Sequence, residues 1–303
     1  MIEVSHPDRI VFPGPGHTKR DIVSYYERAA PKLLPHLVSR PITILRFPRG
    51  IDAPGVFVKN APKHYPPTFE RIELPRKDGV TSHVSVRDGE QLAYLANQGA
   101  IELHVPTVRA PDLFHPDRIV VDLDPPPGEV ALVRRAARAV RETLEQLGLP
   151  TVPVATGSKG YHLVAPIVPT VELSRIEGAM HRLATLAAAE HPELLTTTFR
   201  IAKRGGRVFF DWLRNRYGAT VVCPFSLRAR ASAPVAMPIT WEEIDSVAPD
   251  GIGLADVDAH LAKSDPLAVL AESPRDPEPF VSRVEAAFEA SGLVLETFDR
   301  FRD

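Results

Sequence analysis

Apolar residues fall at helical spacing over Ile22, Tyr25, Tyr26, Ala29 and Leu33, behind Thr18 as a capping residue and Asp21 in the first turn. That pattern predicts a helix over 18–36, with Pro31 and Pro35 weakening its second half. Asp88 caps a second helix that Gly99 ends, and Val130, Val133, Ala137, Val140, Leu144 and Leu147 stripe a third over 129–147. A fourth spans 174–190, apolar at Ile176, Met180, Leu183 and Leu186. Short alternating or continuous apolar runs predict strands at 10–12, 42–47, 56–59, 101–105, 119–123, 152–155, 163–165, 207–212 and 221–225. Segments 69–74 and 80–86 pair through a turn at Asp78-Gly79. Beyond Pro238 the chain reads as short, mostly acidic helices around Trp241 and an amphipathic run over 279–290, a packing layer without chemistry of its own.

The run Ile119-Val120-Val121-Asp122-Leu123-Asp124 ends in two carboxylates and is stopped by three prolines. Side chains alternate along a strand, so Asp122 and Asp124 share a face. Like charges roughly 6–7 Å apart repel unless cations lie between them, and oxygen-rich pairs suit Mg²⁺ or Mn²⁺. An isolated D-x-D-P also suits a strand end whose Asp side chains cap a turn.

Composition narrows the classes. At 303 residues the chain holds one large or two modest domains, and 44% hydrophobic with 24% charged residues is ordinary for a soluble globular protein. A net charge of -2 leaves any nucleic-acid site to a local basic patch. Cys223 is the only cysteine, which excludes a disulfide framework and a cysteine-rich zinc site; the histidines form no H-E-x-x-H. The expectation is a monomeric cytoplasmic protein, with no signal peptide and no membrane span.

Local chemistry then accumulates. Thr156-Gly157-Ser158-Lys159-Gly160-Tyr161-His162 is a Gly-rich loop whose hydroxyls, amides and lysine suit a phosphate, without Walker A spacing; a plain turn is the alternative. Arg200, Lys203, Arg204, Arg207, Arg214 and Arg216 surround one acid, Asp211, at a strand end. It reads as a third metal ligand or as a local salt bridge. Lys19 opens a helix, where dipole and cation together suit a phosphate; a solvated lysine on an exposed turn is the commoner alternative. Phe57 and Lys59 share a strand face beside the strand that carries Arg46, and an aromatic beside a cation suits base stacking near a phosphate. Glu102 and His104 likewise share a face. Arg134, Arg135, Arg138 and Arg141 read as a solvated basic helix face. His-Pro-Asp-Arg-Ile-Val occurs twice, at 6–11 and 115–120, as a turn entering a strand, with no wider duplication.

Taken in order, these motifs resemble the archaeo-eukaryotic primase superfamily, specifically the polymerase domain of bacterial ligase D and its stand-alone Prim-Pol relatives. The resemblance covers about 7–245 and rests on Asp122-Leu123-Asp124-Pro125, Gly157 to His162, Phe209-Phe210-Asp211-Trp212, Pro224 to Arg228 and Glu102 to Pro106. It implies an α+β primase-polymerase fold, an RRM-like palm with a central sheet core flanked by helices, in a single domain whose segment 246–303 packs as helices. It implies Asp122, Asp124 and Asp211 as catalytic ligands of two Mn²⁺ or Mg²⁺ ions. His104, Thr156, Ser158, Lys159, His162, Arg204 and Arg228 would bind the incoming nucleotide. Arg9 and Lys19 would hold the downstream 5′-phosphate of gapped or broken DNA, with Arg46, Phe57 and Lys59 also on DNA. The implied activity is nucleoside triphosphate or deoxynucleoside triphosphate addition in short gaps or at break ends, often with a preference for ribonucleotides. A separate DNA ligase and an end-binding protein would be partners, and the nucleoid the place of work. Departures are Arg9 for a common Lys, Thr156 for Ser, Val56 for a second aromatic and Arg214 for a frequent Gln. Two rivals stand beside this reading: a metal-dependent D-x-D glycosyltransferase, and a non-catalytic module that binds DNA ends.

Overall fold

The computed structural model describes residues 2–295. Its core is shared by two sheets. The larger has six strands in the spatial order Leu195–Thr196, Val208–Asp211, Arg118–Asp124, Tyr161–Pro166, Val152–Ala155 and Met237–Pro238. The second has four, Val221–Val222, Ala100–Val105, Thr43–Arg46 and Val56–Val58. The helices Lys19–Leu37 and Gly89–Asn97 pack on each other and on Ala100–Val105, while Val130–Gln146 and Leu173–Glu190 pack on the larger sheet. Ile119, Val120, Val121 and Leu123 are all buried, so the Asp-bearing strand is covered on both faces until its carboxylates. No helix among the described residues is long and apolar enough to cross a membrane.

Most predicted elements form, and the differences have local causes. The first helix runs over Lys19–Leu37 through both prolines, which sit on its exposed face, where water can satisfy the carbonyls they free. Thr18 and Asp21 close a reciprocal capping box at its start. The Gly-rich loop is shorter than its sequence suggests, because Tyr161 and His162 already belong to the strand Tyr161–Pro166. The loop is therefore the turn of a hairpin with Val152–Ala155. The strand expected over 221–225 stops at Val222: Pro224 brings no ladder donor, and Phe225 reverses the chain at φ 65° to donate its N–H to Ala236 O at 2.6 Å.

The basic face of Val130–Gln146 is not simply solvated. Arg138 pairs with Asp245, and Arg141 lies 4.6 Å from the Trp241 ring centroid. The C-terminal segment thus packs against it. Its helix Pro277–Ser291 buries Phe280, Val281 and Val284 against Leu173–Glu190. Residues 296–303 of that segment lie outside the described residues.

Candidate active site and phosphate pocket

Strand pairing decides which carboxylates meet. Asp211 pairs directly with Asp122, and Asp122 in turn with His162, across three adjacent antiparallel strands. Directly paired residues point to the same face. Asp211, Asp122 and His162 therefore form one row, and Asp124 with Phe209 forms the next. Asn215 holds this end of the strand, donating to Val120 O at 2.7 Å and accepting from Val120 N–H at 2.9 Å.

Each carboxylate meets a cation. Arg214 spans two of them, with Nε 2.9 Å from Asp122 Oδ2 and Nη2 2.9 Å from Asp211 Oδ2. Asp124 takes Lys159 Nζ at 2.9 Å on one oxygen and Arg204 Nη1 at 2.8 Å on the other. Arg204 is itself aimed by Thr198 O and Phe199 O, with its guanidinium carbon 4.1 Å from the Phe209 ring centroid. Burial pushes the Asp211 carboxyl up to about 6; Arg214 opposes the rise, and the charges of Asp122 and Asp124 add to it.

Among the described residues, no three acidic, histidine or cysteine side chains already enclose a point where a metal ion would sit. Their chemistry nevertheless fits one: an all-oxygen donor set suits a hard divalent cation, and Arg214, Lys159 and Arg204 hold the places of positive charge.

The loop and the strand Ala100–Val105 complete the surroundings. Gly160 cannot be replaced, because a Cβ there would lie 2.0 Å from Leu123 O, beside the Asp strand. Gly157 has φ 65° and donates to Pro249 O at 2.8 Å; Thr156 Oγ1 donates to Gly160 O at 2.7 Å. Those groups hold the turn, leaving Ser158 and Lys159 as its half-exposed side chains. His162 is buried, 3.6 Å from Asp122 Oδ1, and burial lowers it to about 4, so it is neutral at pH 7.

Glu102 organises the other wall. It accepts from His104 Nε2 at 2.9 Å and from Ala229 N–H at 2.9 Å, and Arg228 Nε lies 3.1 Å away without the alignment of a hydrogen bond. Burial raises the Glu102 carboxyl, but His104, Arg228 and the Ala229 amide outweigh it and bring it to about 2. Glu102 and Arg214 were absent from the residues assigned roles by sequence. The shared strand face of Glu102 and His104 was the available signal for the first; nothing in the spacing pointed Arg214 at Asp122.

The expected DNA-contacting residues divide. Arg9, Lys19 and Arg46 line one cavity of about 170 Å³. Lys19 Nζ donates to Ser5 O at 2.7 Å and Ser5 Oγ at 2.8 Å, Arg9 Nη1 to Pro48 O at 2.6 Å and Arg46 Nε to Gln98 O at 2.7 Å. Burial, then the nearby Arg9 charge, lowers the Lys19 pKa. Phe57 and Lys59 are elsewhere. Phe57 is 62% exposed with its ring 6.3 Å from that of His104, and Lys59 lines a separate cavity with Arg76, Lys77 and His83.

Comparison with known proteins follows this geometry. Residues 18–267 match the family model described as LigD, primase-polymerase domain, so the match starts later and ends later than the motif resemblance. The LigD non-homologous end joining proteins of Mycobacterium bovis and Bacillus subtilis are 36% and 33% identical over 256 and 245 residues, which is 82% and 79% of this chain. Those stretches are 34% and 39% of the relatives' own lengths, so the chain spans little more than a third of either. The solved polymerase domain of Mycobacterium tuberculosis ligase D in complex with DNA superposes with a TM-score of 0.80 at 33% identity, covering 93% of this chain and 98% of that one. The chain belongs to the LigD primase-polymerase domain family, a family of nucleotidyltransferases.

Proposed function

We propose that this chain extends a primer 3′-hydroxyl across short DNA gaps or at break ends, by nucleotidyl transfer at Asp122, Asp124 and Asp211. The observation that carries the reading is the direct pairing of Asp211 with Asp122, bridged by one guanidinium. Asp122, Asp124 and Asp211 would hold two Mn²⁺ or Mg²⁺ ions, which lower the pKa of an attacking hydroxyl and stabilise a leaving pyrophosphate. Lys159 and Arg204 then turn from Asp124 toward the triphosphate, whose charge would otherwise oppose the nucleophile. Arg214, which bridges Asp122 and Asp211, supplies positive charge where such ions would be held. Arg228, Ser158 and His104 line the nucleotide's approach, with Glu102 fixing the last. His162 stays neutral and supports Asp122 from within, and Thr156 keeps the turn closed.

The Arg9–Lys19–Arg46 cavity supplies a phosphate seat for the downstream 5′ end of a gap. The relative solved in complex with DNA supports DNA binding by this domain. Exposed Phe57 offers a stacking surface, and Lys59 a backbone contact beside it. End joining is supported by the names of the relatives; a ligase and an end-binding protein as partners, and the nucleoid as location, rest on the motif resemblance. Family membership removes the glycosyltransferase alternative. Primer extension on gapped DNA tests the reading: incorporation should require Asp122, Asp124 and Asp211 together. Undiminished incorporation by Asp122→Asn would remove it.

A further inference from the structure

The second His-Pro-Asp-Arg-Ile-Val copy supplies a residue that nothing above uses. Arg118 opens the Asp-bearing strand, is only 7% exposed, and shares the strand face of Asp122 from the opposite end, about 13 Å away by strand rise. Its guanidinium makes no well-aligned hydrogen bond among the described residues and forms an ion pair with Asp117, whose Oδ1 is 3.5 Å from Nε. Asp117 is already shared. Arg40 Nη2 donates to it at 2.6 Å and Arg109 Nε at 2.6 Å, so three guanidinium groups surround one carboxylate.

Arg118 lines a cavity of about 300 Å³ between the end of the helix Lys19–Leu37, the strand Tyr161–Pro166 and the short helix Pro266–Ala271. Arg109 is there too, with each of its three nitrogens already donating, to Asp117, Val38 O and Pro35 O. His36 also lines the cavity, but its Nε2 is buried and lies 3.6 Å from Asp265 Oδ2. Asp265 is occupied at its other oxygen by Leu267 N–H, and Glu272 is an exposed residue of the helix side. The remaining wall is apolar, from Val164, Pro166, Leu267 and Ala271. A buried guanidinium whose anionic neighbour is 3.5 Å away and shared with two other arginines leaves charge-assisted donors unused. An apolar chamber with one such group at its end is the usual form of a small-ligand pocket, and its volume is at the lower bound of that class.

We propose that this cavity binds a small anion with a compact apolar body, its carboxylate or phosphate head taken by Arg118. The site is separate from the nucleotide and 5′-phosphate sites, and the head group is the part the structure defines. Arg118 provides the paired N–H donors that match either oxyanion. The body packs on Leu267 and Val164.

Isothermal titration of the full chain with benzoate and with phenyl phosphate, and with benzyl alcohol as the uncharged control, tests this. One molecule of at least one anion should bind per chain, and benzyl alcohol should bind at least about tenfold more weakly. The stronger of the two anions identifies the head group. Arg118→Gln should weaken binding by at least about tenfold. Ala268 is an exposed residue at the cavity wall, so Ala268→Trp should block binding while leaving thermal unfolding and primer extension unchanged. Lys19→Ala should bind as the parent does. The proposal is overturned if neither anion binds, if Ala268→Trp binds equally well, or if Lys19→Ala abolishes the signal.

Discussion

The carboxylate centre and the Arg9–Lys19 pocket both serve phosphate chemistry in this reading, and they are built on opposite electrostatic plans. In the first, buried negative groups are held by the protein's own cations, Arg214, Lys159 and Arg204. Function there demands an exchange of partners. In the second, Lys19, Arg9 and Arg46 are aimed by neutral oxygens of Ser5, Pro48 and Gln98, so a phosphate enters without displacing a counter-charge. The lesson is that the centre should respond to metal and pH, whereas the pocket should respond mainly to salt and to the presence of a 5′-phosphate.

The comparison breaks most severely at Asp122. Asp122→Asn should lower single-turnover incorporation on a gapped template by about a thousandfold or more, since it removes charge from the reacting site. Gapped-DNA affinity should hardly change.

Next comes stability without added metal. Because the Asp211 carboxyl is raised in the folded state, the native protein binds this proton more tightly than the unfolded chain does. The resulting stabilisation is complete below the ordinary Asp pKa of about 4 and is lost as pH rises through about 6. Asp211→Asn should therefore be more stable than the parent at pH 8, on the order of 2 kcal/mol, with the advantage vanishing near pH 4. Chelator-treated protein in urea at a series of pH values measures it, and an advantage that grows toward acid would refute the sign.

At the pocket, Lys19→Ala should weaken binding to gapped DNA by about tenfold when the downstream 5′-phosphate is present, as expected for one charge-assisted contact. A phosphate-free gap should show little change. Equal losses on both substrates would make Lys19 a general backbone contact. The smallest effect belongs to Phe57→Ala, about fivefold on template affinity with nucleotide binding preserved, the lower end for one stacked base.

Much of this was legible because it depends on local pattern. Helix periodicity, the Thr18 box and the Asp88 cap are decided within one or two turns of chain. The pairing of Asp122 with Asp124 follows from strand alternation alone. Asp211 was recognisable as an isolated acid among cations, and its salt-bridge reading is met by Arg214, 2.9 Å from its carboxylate. What escaped depends on contacts between distant segments. The two identical hexapeptides show the limit: Ile10 is 46% exposed at a short two-stranded edge, while Ile119 is 1% exposed in the six-stranded sheet. Arg9 reaches a carbonyl at a pocket rim, whereas Arg118 is enclosed with two other arginines. Both copies lead into a strand, at Ile10 and at Arg118. The entry differs, with His6 at φ 50° in one and Pro116 bridged to Val108 in the other, and burial is set by what packs on top. The same holds for Glu102, whose role rests on Arg228 and Ala229 far along the chain, and for the separation of Lys59 from Lys19 and Arg9.

The central claim is that Asp122, Asp124 and Asp211 hold divalent metal as one unit. Titration of Mn²⁺ into the full chain with gapped DNA and a non-hydrolysable nucleotide, followed by electron paramagnetic resonance of the free ion, measures this directly. The account predicts two bound ions in the parent and a loss of tight binding in Asp211→Asn. Unchanged Mn²⁺ binding in Asp211→Asn would contradict it.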